Sequence, residues 1–69
     1  MTIKVNQAVQ TPNGPGVVQG QTWGENGHVI LVAHKPDAQI DLSKVQSAQG
    51  DGRGSWILCG YLPEQVEAK

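Results

Sequence analysis

The 69-residue chain has no phenylalanine, one cysteine, one tyrosine and two tryptophans. Each shortage closes a route. A single cysteine makes no internal disulfide, and with two histidines at unsuitable spacing it makes no zinc centre. Three aromatic rings in all argue against the clustered grooves that grip proline-rich peptides. Charge is also scarce, at 16% of residues and a net of −1. Its basic residues, Lys4, Lys35, Lys44, Arg53 and Lys69, are scattered along the chain. Phosphate-driven nucleic-acid binding needs them clustered, so charge disfavours that class. No run of about 18 apolar residues occurs, which excludes a membrane-spanning helix. The opening "MTIKVNQAVQ" lacks the apolar centre of a signal peptide. A lone thiol without an export signal predicts a cytoplasmic protein.

Length sets a second limit. A chain of this size predicts one domain over residues 1–69. It buries only about 60% of its unfolded surface. Small scaffolds are commonly held by disulfides, a metal or self-association. With the first two excluded, a homo-oligomer is expected. Eight glutamines leave a polar, weakly charged surface that suits a protein partner.

Glycine and proline are what the chain does have, and they punctuate it. "NQAVQT" reads as a first strand. In "TPNGPG", Pro12 fixes φ and the following Asn13-Gly14 tolerate positive φ, so a turn is predicted. Pro15 cannot donate to a ladder, so the next strand, "GVVQGQTW", is expected to start after it. Gly14 and Gly16 are expected to supply unusual dihedrals, and Gly20 a bulge or strong bend. "GENG" signals a hairpin, with Asn26-Gly27 favouring a primed turn. "HVILVAHK" is the strongest strand, rich in β-branched residues. The stretch 36–49 suits either a short helix, opened by Pro36 with Leu42 and Val45 three apart, or a strand alternating at Ala38, Ile40 and Leu42. "GDGRGS" reads as a flexible loop, "WILCGY" as a strand, and "LPEQVEAK" as one turn opened by Pro63 before a last short strand at Val66 and Glu67. The predicted class is all-β, with about five short strands.

This succession resembles the SH3-like small barrels, a group that includes KOW and Tudor-type modules. The resemblance rests on "AVQTPNGPGVVQG", the hairpin with "HVILV", and the closing "YLPEQVE". It implies a five-stranded barrel, bent at Gly20 and Gly60, that binds proteins or nucleic acids and is rarely an enzyme. "VVQGQTWG", "AHKPDAQI" and "GYLPEQVE" are also loosely similar to type II dihydrofolate reductases, short barrels that build one active pore at a tetramer centre. The Val-Gln-Ile-Tyr run of that family is not preserved in "AQID" or "LCGY", and its pore lysine has no counterpart in "QTPNG".

Candidate sites follow from residue chemistry. The "PNGPG" turn offers an anion nest in principle, but Pro15 removes an amide and no Lys or helix follows, so it reads as a structural corner. No cofactor or metal is expected. Trp23 and Trp56, at strand ends beside glycines, are candidate binding platforms, and Tyr61 is placed with Trp56 in a shared groove. On "HVILVAHK", Val29, Leu31 and Ala33 are assigned inward. His28, Ile30, Val32 and His34 are then a subunit or partner face, unless the 36–49 stretch buries them. Cys59, in an apolar run with no basic neighbour, reads as a buried thiol rather than a nucleophile. Asp37 and Asp41 read as a turn cap and a solvated carboxylate, and Arg53 as a loop side chain. The leading reading is a non-enzymatic module that self-associates and binds a protein partner. The alternatives are a KOW-like nucleic-acid binder and a type II dihydrofolate reductase-like oligomer.

Overall fold

Alternation decides the first hairpin. In β1 (Ala8–Thr11), Val9 and Thr11 are buried while Ala8 and Gln10 are exposed. Pro12 and Asn13 then turn the chain into β2 (Gly14–Gly24), with Thr11 opposite Gly14. Gly14 takes φ +103°, which a Cβ would disfavour, so the corner needs glycine there. The computed structural model describes residues 4–25, 27–35, 39–50 and 56–68. β2 runs back along β1 and pairs on its other side with β3 (Gly27–His34). The remaining elements are a 3-10 turn at Leu42–Lys44, β4 (Ser47–Gly50), β5 (Ile57–Tyr61), a 3-10 turn at Pro63–Gln65 and β6 (Glu67–Ala68). All pairings are antiparallel, in the order β4-β5-β3-β2-β1-β6.

The all-β class is therefore correct, with two changes of detail. Among the described residues there are six strands rather than five, and the sheet they form does not close, since β4 and β6 remain its edges. The additional strand comes from the ambiguous stretch. Its described part forms only one 3-10 turn, then an edge strand held against β5. Pro36, Asp37 and Ala38 lie outside the described residues, as do Asn26 of the hairpin and Arg53 of the glycine-rich loop. Gly50, read as the start of that loop, instead ends β4. Among the described residues no helix is long and apolar enough to cross a membrane.

Pro15 also sits inside β2 rather than ahead of it, paired with Gln10. The N and C=O of a strand residue point to the same side. The Pro15 carbonyl meets a side chain from β3, so its missing donor also faces that side. Pairing of β2 with β3 begins only at Val17, so no ladder bond is lost. Gly20 behaves as expected: the register shifts between Val18 and Gly20. Gly16 has a different task from the one expected. A Cβ there would run into Val32 Cγ1, with the Ala33 carbonyl 2.9 Å away, so glycine lets β2 approach β3 rather than supplying positive φ. Gly60 is likewise a point of close approach, with no register shift in β5.

The core lies on one face of the sheet. Val9, Val18, Ile30, Val32, Cys59, Tyr61 and Val66 form it, and Ile40, Val45 and Ile57 pack against its edge. Burying such aliphatic side chains contributes roughly 1.5–3 kcal/mol each. The face assignment on β3 is thus reversed at Leu31 and Ala33, although Val29, also assigned inward, is buried at 4% exposure, and burial of the opposite face is the alternative the sequence left open. Ile30, Val32 and His34 point into the core at 1%, 0% and 3% exposure, whereas Leu31 and Ala33 are only partly covered. The expectation treated the imidazoles as markers of solvent, but a histidine is buried readily once both ring nitrogens have partners.

Cys59 is fully buried in this cluster. Burial raises its pKa, opposed in part by a hydrogen bond with Tyr61, and burial likewise raises that of Tyr61. Both shifts disfavour ionisation in the folded state. Stability held below the ordinary thiol and phenol values is then lost as pH rises through the raised folded ones. Two results are expected: a falling melting temperature on the alkaline side, and thiol labelling at neutral pH only at the rate of unfolding. Rapid, complete labelling of the native protein would contradict the placement of Cys59.

Candidate functional site

Two places gather the chemistry-bearing side chains. The first is buried beneath the 39–45 segment. The His34 Nδ1 lies 3.0 Å from the Pro15 carbonyl, and its Nε2 lies 2.7 Å from the Tyr61 hydroxyl. A carbonyl only accepts, so Nδ1 carries a proton, and Nε2 of the neutral ring accepts from the phenol. The rings meet edge to face, with centroids 5.8 Å apart. Asn13, from the first turn, donates through Nδ2 to the same hydroxyl at 3.1 Å. It also accepts the Asp41 N–H at 2.7 Å through Oδ1. Thr11 donates to the Gly14 carbonyl at 2.8 Å and accepts the Asn13 N–H at 3.2 Å.

Each of these polar groups has a protein partner, and no buried side-chain N or O among the described residues is left unsatisfied. The arrangement is a clamp. It ties the first turn, β3, β5 and the segment at Asp41 into one unit. Asp41 caps its own 3-10 turn, accepting from the Ser43 N–H and hydroxyl, and these bonds hold its carboxyl below the usual value. Gln65 finishes the fastening by accepting the Leu62 N–H and donating to the Lys44 carbonyl. Cys59 shares the inner face with His34 and Tyr61, but burial disfavours its thiolate, and His34 spends both nitrogens elsewhere. No cluster among the described residues has three or more His, Cys, Asp or Glu able to hold a metal.

The second place is the open end of the β2–β3 hairpin. Trp23 is 80% exposed, and its ring lies over His28 with centroids 5.3 Å apart, tilted by 39°. His28 Nε2 in turn donates to Gln21 Oε1 from the neighbouring strand. The pairs Trp23–His28 and Gln21–Ile30 set these side chains on one face beyond the core. Gly24 and Gly27 close the hairpin, and Gly27 needs its φ of +101°. A cleft opens alongside, lined by Trp23, Glu25, Val29, Gln46 and Ser47.

The structure thus separates the residues singled out from the sequence. Trp23 and His28 come together at the surface. Ile30, Val32, His34 and Tyr61 are buried, so they form no exposed face in this chain. Trp56, 37% exposed just before β5, cannot share a groove with Tyr61, which is 0% exposed. Pro12, Gly14 and Gly27 sit at turns, Gly14 and Gly27 with positive φ, whereas Pro15 and Gly16, expected at the same corner, lie within β2. Asn13 and Asp41 were not foreseen as partners. They lie 28 positions apart and no local pattern links them. The one available signal was an Asn in a turn, which offers a short side chain with both donor and acceptor. No family model matches the chain, and no curated protein or solved structure is significantly similar to it.

Proposed function

We propose that this chain is a non-enzymatic interaction module, a variant of the SH3-like small barrel, that self-associates and binds a protein partner through the Trp23–His28 end of its hairpin. The observation that carries this reading is Trp23 itself. A tryptophan left 80% exposed, braced by His28 and beside a cleft, is a large apolar platform awaiting desolvation. The cleft adds the hydroxyl of Ser47 and a carboxylate from Glu25. The barrel kinship is supported by the 3-10 turn at Pro63–Gln65, which leads into β6 paired back on β1. An enzymatic reading draws no support from the buried His34, Tyr61 and Cys59, whose partners are all internal.

The test is capture of proteins from native host lysate by the immobilised chain and by Trp23→Ala. Tryptophan hot spots contribute about 2 kcal/mol or more, so the variant should bind a captured partner ~30-fold more weakly. Its circular dichroism should be unchanged, because the ring is outside the core. Equal capture by both proteins would reject the site. Salt-sensitive retention on nucleic-acid resin, or NADPH binding by fluorescence, would favour the KOW-like or reductase-like alternative instead.

A further inference from the structure

Asn13 precedes Gly14, and its side chain is the joint through which the first turn grips the segment at Asp41. Asparagine before glycine is a dipeptide prone to deamidation, because no Cβ shields the following amide nitrogen. In that reaction the Gly14 nitrogen attacks Asn13 Cγ and a five-membered succinimide closes. The bond that forms is Cγ to the Gly14 nitrogen, and the bond that breaks is Cγ–Nδ2. The displaced nitrogen leaves as ammonia with the Gly14 amide proton. Water then opens the ring at either carbonyl, giving aspartate or isoaspartate with no change of oxidation state. There is room for the ring, since a Cβ built at Gly14 would meet nothing within 4 Å. The side chain's engagement opposes it. Asn13 is half-buried, and its Oδ1 accepts the Asp41 N–H at 2.7 Å. Its Nδ2 donates to the Tyr61 hydroxyl at 3.1 Å and to the Asp41 carbonyl at 3.4 Å. Closing the ring draws Cγ to bonding distance of the Gly14 nitrogen and expels Nδ2, so it displaces a side chain anchored at three points.

We propose that Asn13–Gly14 is a deamidation site locked by the clamp, released when the 39–45 segment opens and changed so that the clamp does not re-form. The release is local, because the bonds that hold Asn13 tie a turn to a segment outside the sheet and opening them leaves the ladders intact. The loss of the clamp follows from what each group can donate. An amide nitrogen donates, and both partners of Nδ2 are oxygens. A carboxylate at position 13 only accepts. It keeps the Asp41 N–H, but it opposes the Asp41 carbonyl with a second acceptor. The Tyr61 phenol has one proton, which His34 Nε2 accepts. A carboxylate that took this proton would leave His34, 3% exposed, without its donor. Isoaspartate adds a backbone methylene between β1 and β2, which moves Gly14 away from its partner Thr11. A closed clamp thus preserves Asn13, and an opened one is converted in one direction. The inference goes beyond the proposed function and is independent of the Trp23 surface.

The experiment incubates the full chain at mildly alkaline pH, native and in urea, and follows Asn13 by peptide mapping and mass spectrometry. Mapping separates it from Asn26, the other asparagine that precedes a glycine. Labelling of the buried Cys59 thiol, native and in urea at the same pH, reports complete unfolding. Asn13 should react at least about tenfold more slowly in the native chain than in urea. Cys59 should be slowed by a larger factor, because clamp opening precedes global unfolding. Equal Asn13 rates in both states overturn the lock. Equal slowing of Asn13 and Cys59 overturns the local release, since only complete unfolding would then free the amide. Asn13→Asp reproduces the aspartate product. Amide exchange at Asp41 and Ser43 should quicken at least about fivefold in it, while the β3 amides change less. Unchanged exchange at Asp41 and Ser43 would show that the clamp re-forms around the product and would overturn that part of the proposal. The native-chain rates decide the lock even if Asn13→Asp fails to fold.

Discussion

Gly16→Val is expected to leave the chain unfolded at room temperature, and Gly16→Ala to cost about 1–3 kcal/mol. At this position β2 lies between β1 and β3, opposite Val9. A Cβ would overlap Val32 Cγ1, approach the Ala33 carbonyl at 2.9 Å and reach His34 Cε1 at 3.2 Å. Val32 is itself fully buried, so it has little room to withdraw, and the carbonyl belongs to the ladder. Two branched methyls enlarge the overlap, and in a chain this small the loss approaches the whole margin of stability. The control is Gly20→Ala. Its Cβ would meet nothing within 4 Å and its φ is not in the left-handed region. That variant should stay within about 0.5 kcal/mol of the parent. Urea denaturation of the three variants measures the difference. Equal midpoints for Gly16→Ala and Gly20→Ala would mean that the close approach at Gly16 is not needed.

The contrast between those glycines shows where the sequence could be read. Gly20 announced itself, because a glycine inside a β-branched run marks an interruption, and the register shift falls there. Gly16 did not, because its constraint is a side chain on another strand. The hairpin strands, β5 and the closing Pro63 turn were visible from local pattern and punctuation. β4 was not. Ser-Ala-Gln-Gly has little strand propensity, and these residues are extended because β5 offers them an edge. The faces of β3 were misread for a related reason. Its run is apolar on both sides, so alternation gives no preference, and the two histidines alone mark a face as outward. Their difference is tertiary: His34 reaches Pro15 and Tyr61 inside, and His28 meets Gln21 and Trp23 at the rim. Of the candidate site, Trp23 was legible because an exposed aromatic beside a hairpin signal needs no distant partner to be noticed.

The largest test of the buried clamp is a cycle built on Tyr61→Phe and Asn13→Ala. Phenylalanine preserves the ring that fills the core, so its effect isolates the hydroxyl. Removing that hydroxyl deprives His34 Nε2 of its donor and Asn13 Nδ2 of an acceptor. His34 is 3% exposed and gains no water in exchange, so the loss should be about 1–3 kcal/mol. Asn13→Ala removes three bonds, to the Tyr61 hydroxyl and to both backbone groups of Asp41. It should release the 39–45 segment, and amide exchange at Asp41 and Ser43 should quicken well beyond that of the β3 amides. If the hydroxyl and the amide act through one another, the double variant should be less destabilised than the sum of the singles, by about 0.5 kcal/mol or more. Additive losses would show that the turn and the phenol are independent neighbours. A fold that tolerates Tyr61→Phe without loss would show that His34 stays buried in this small core without needing the phenol as its donor.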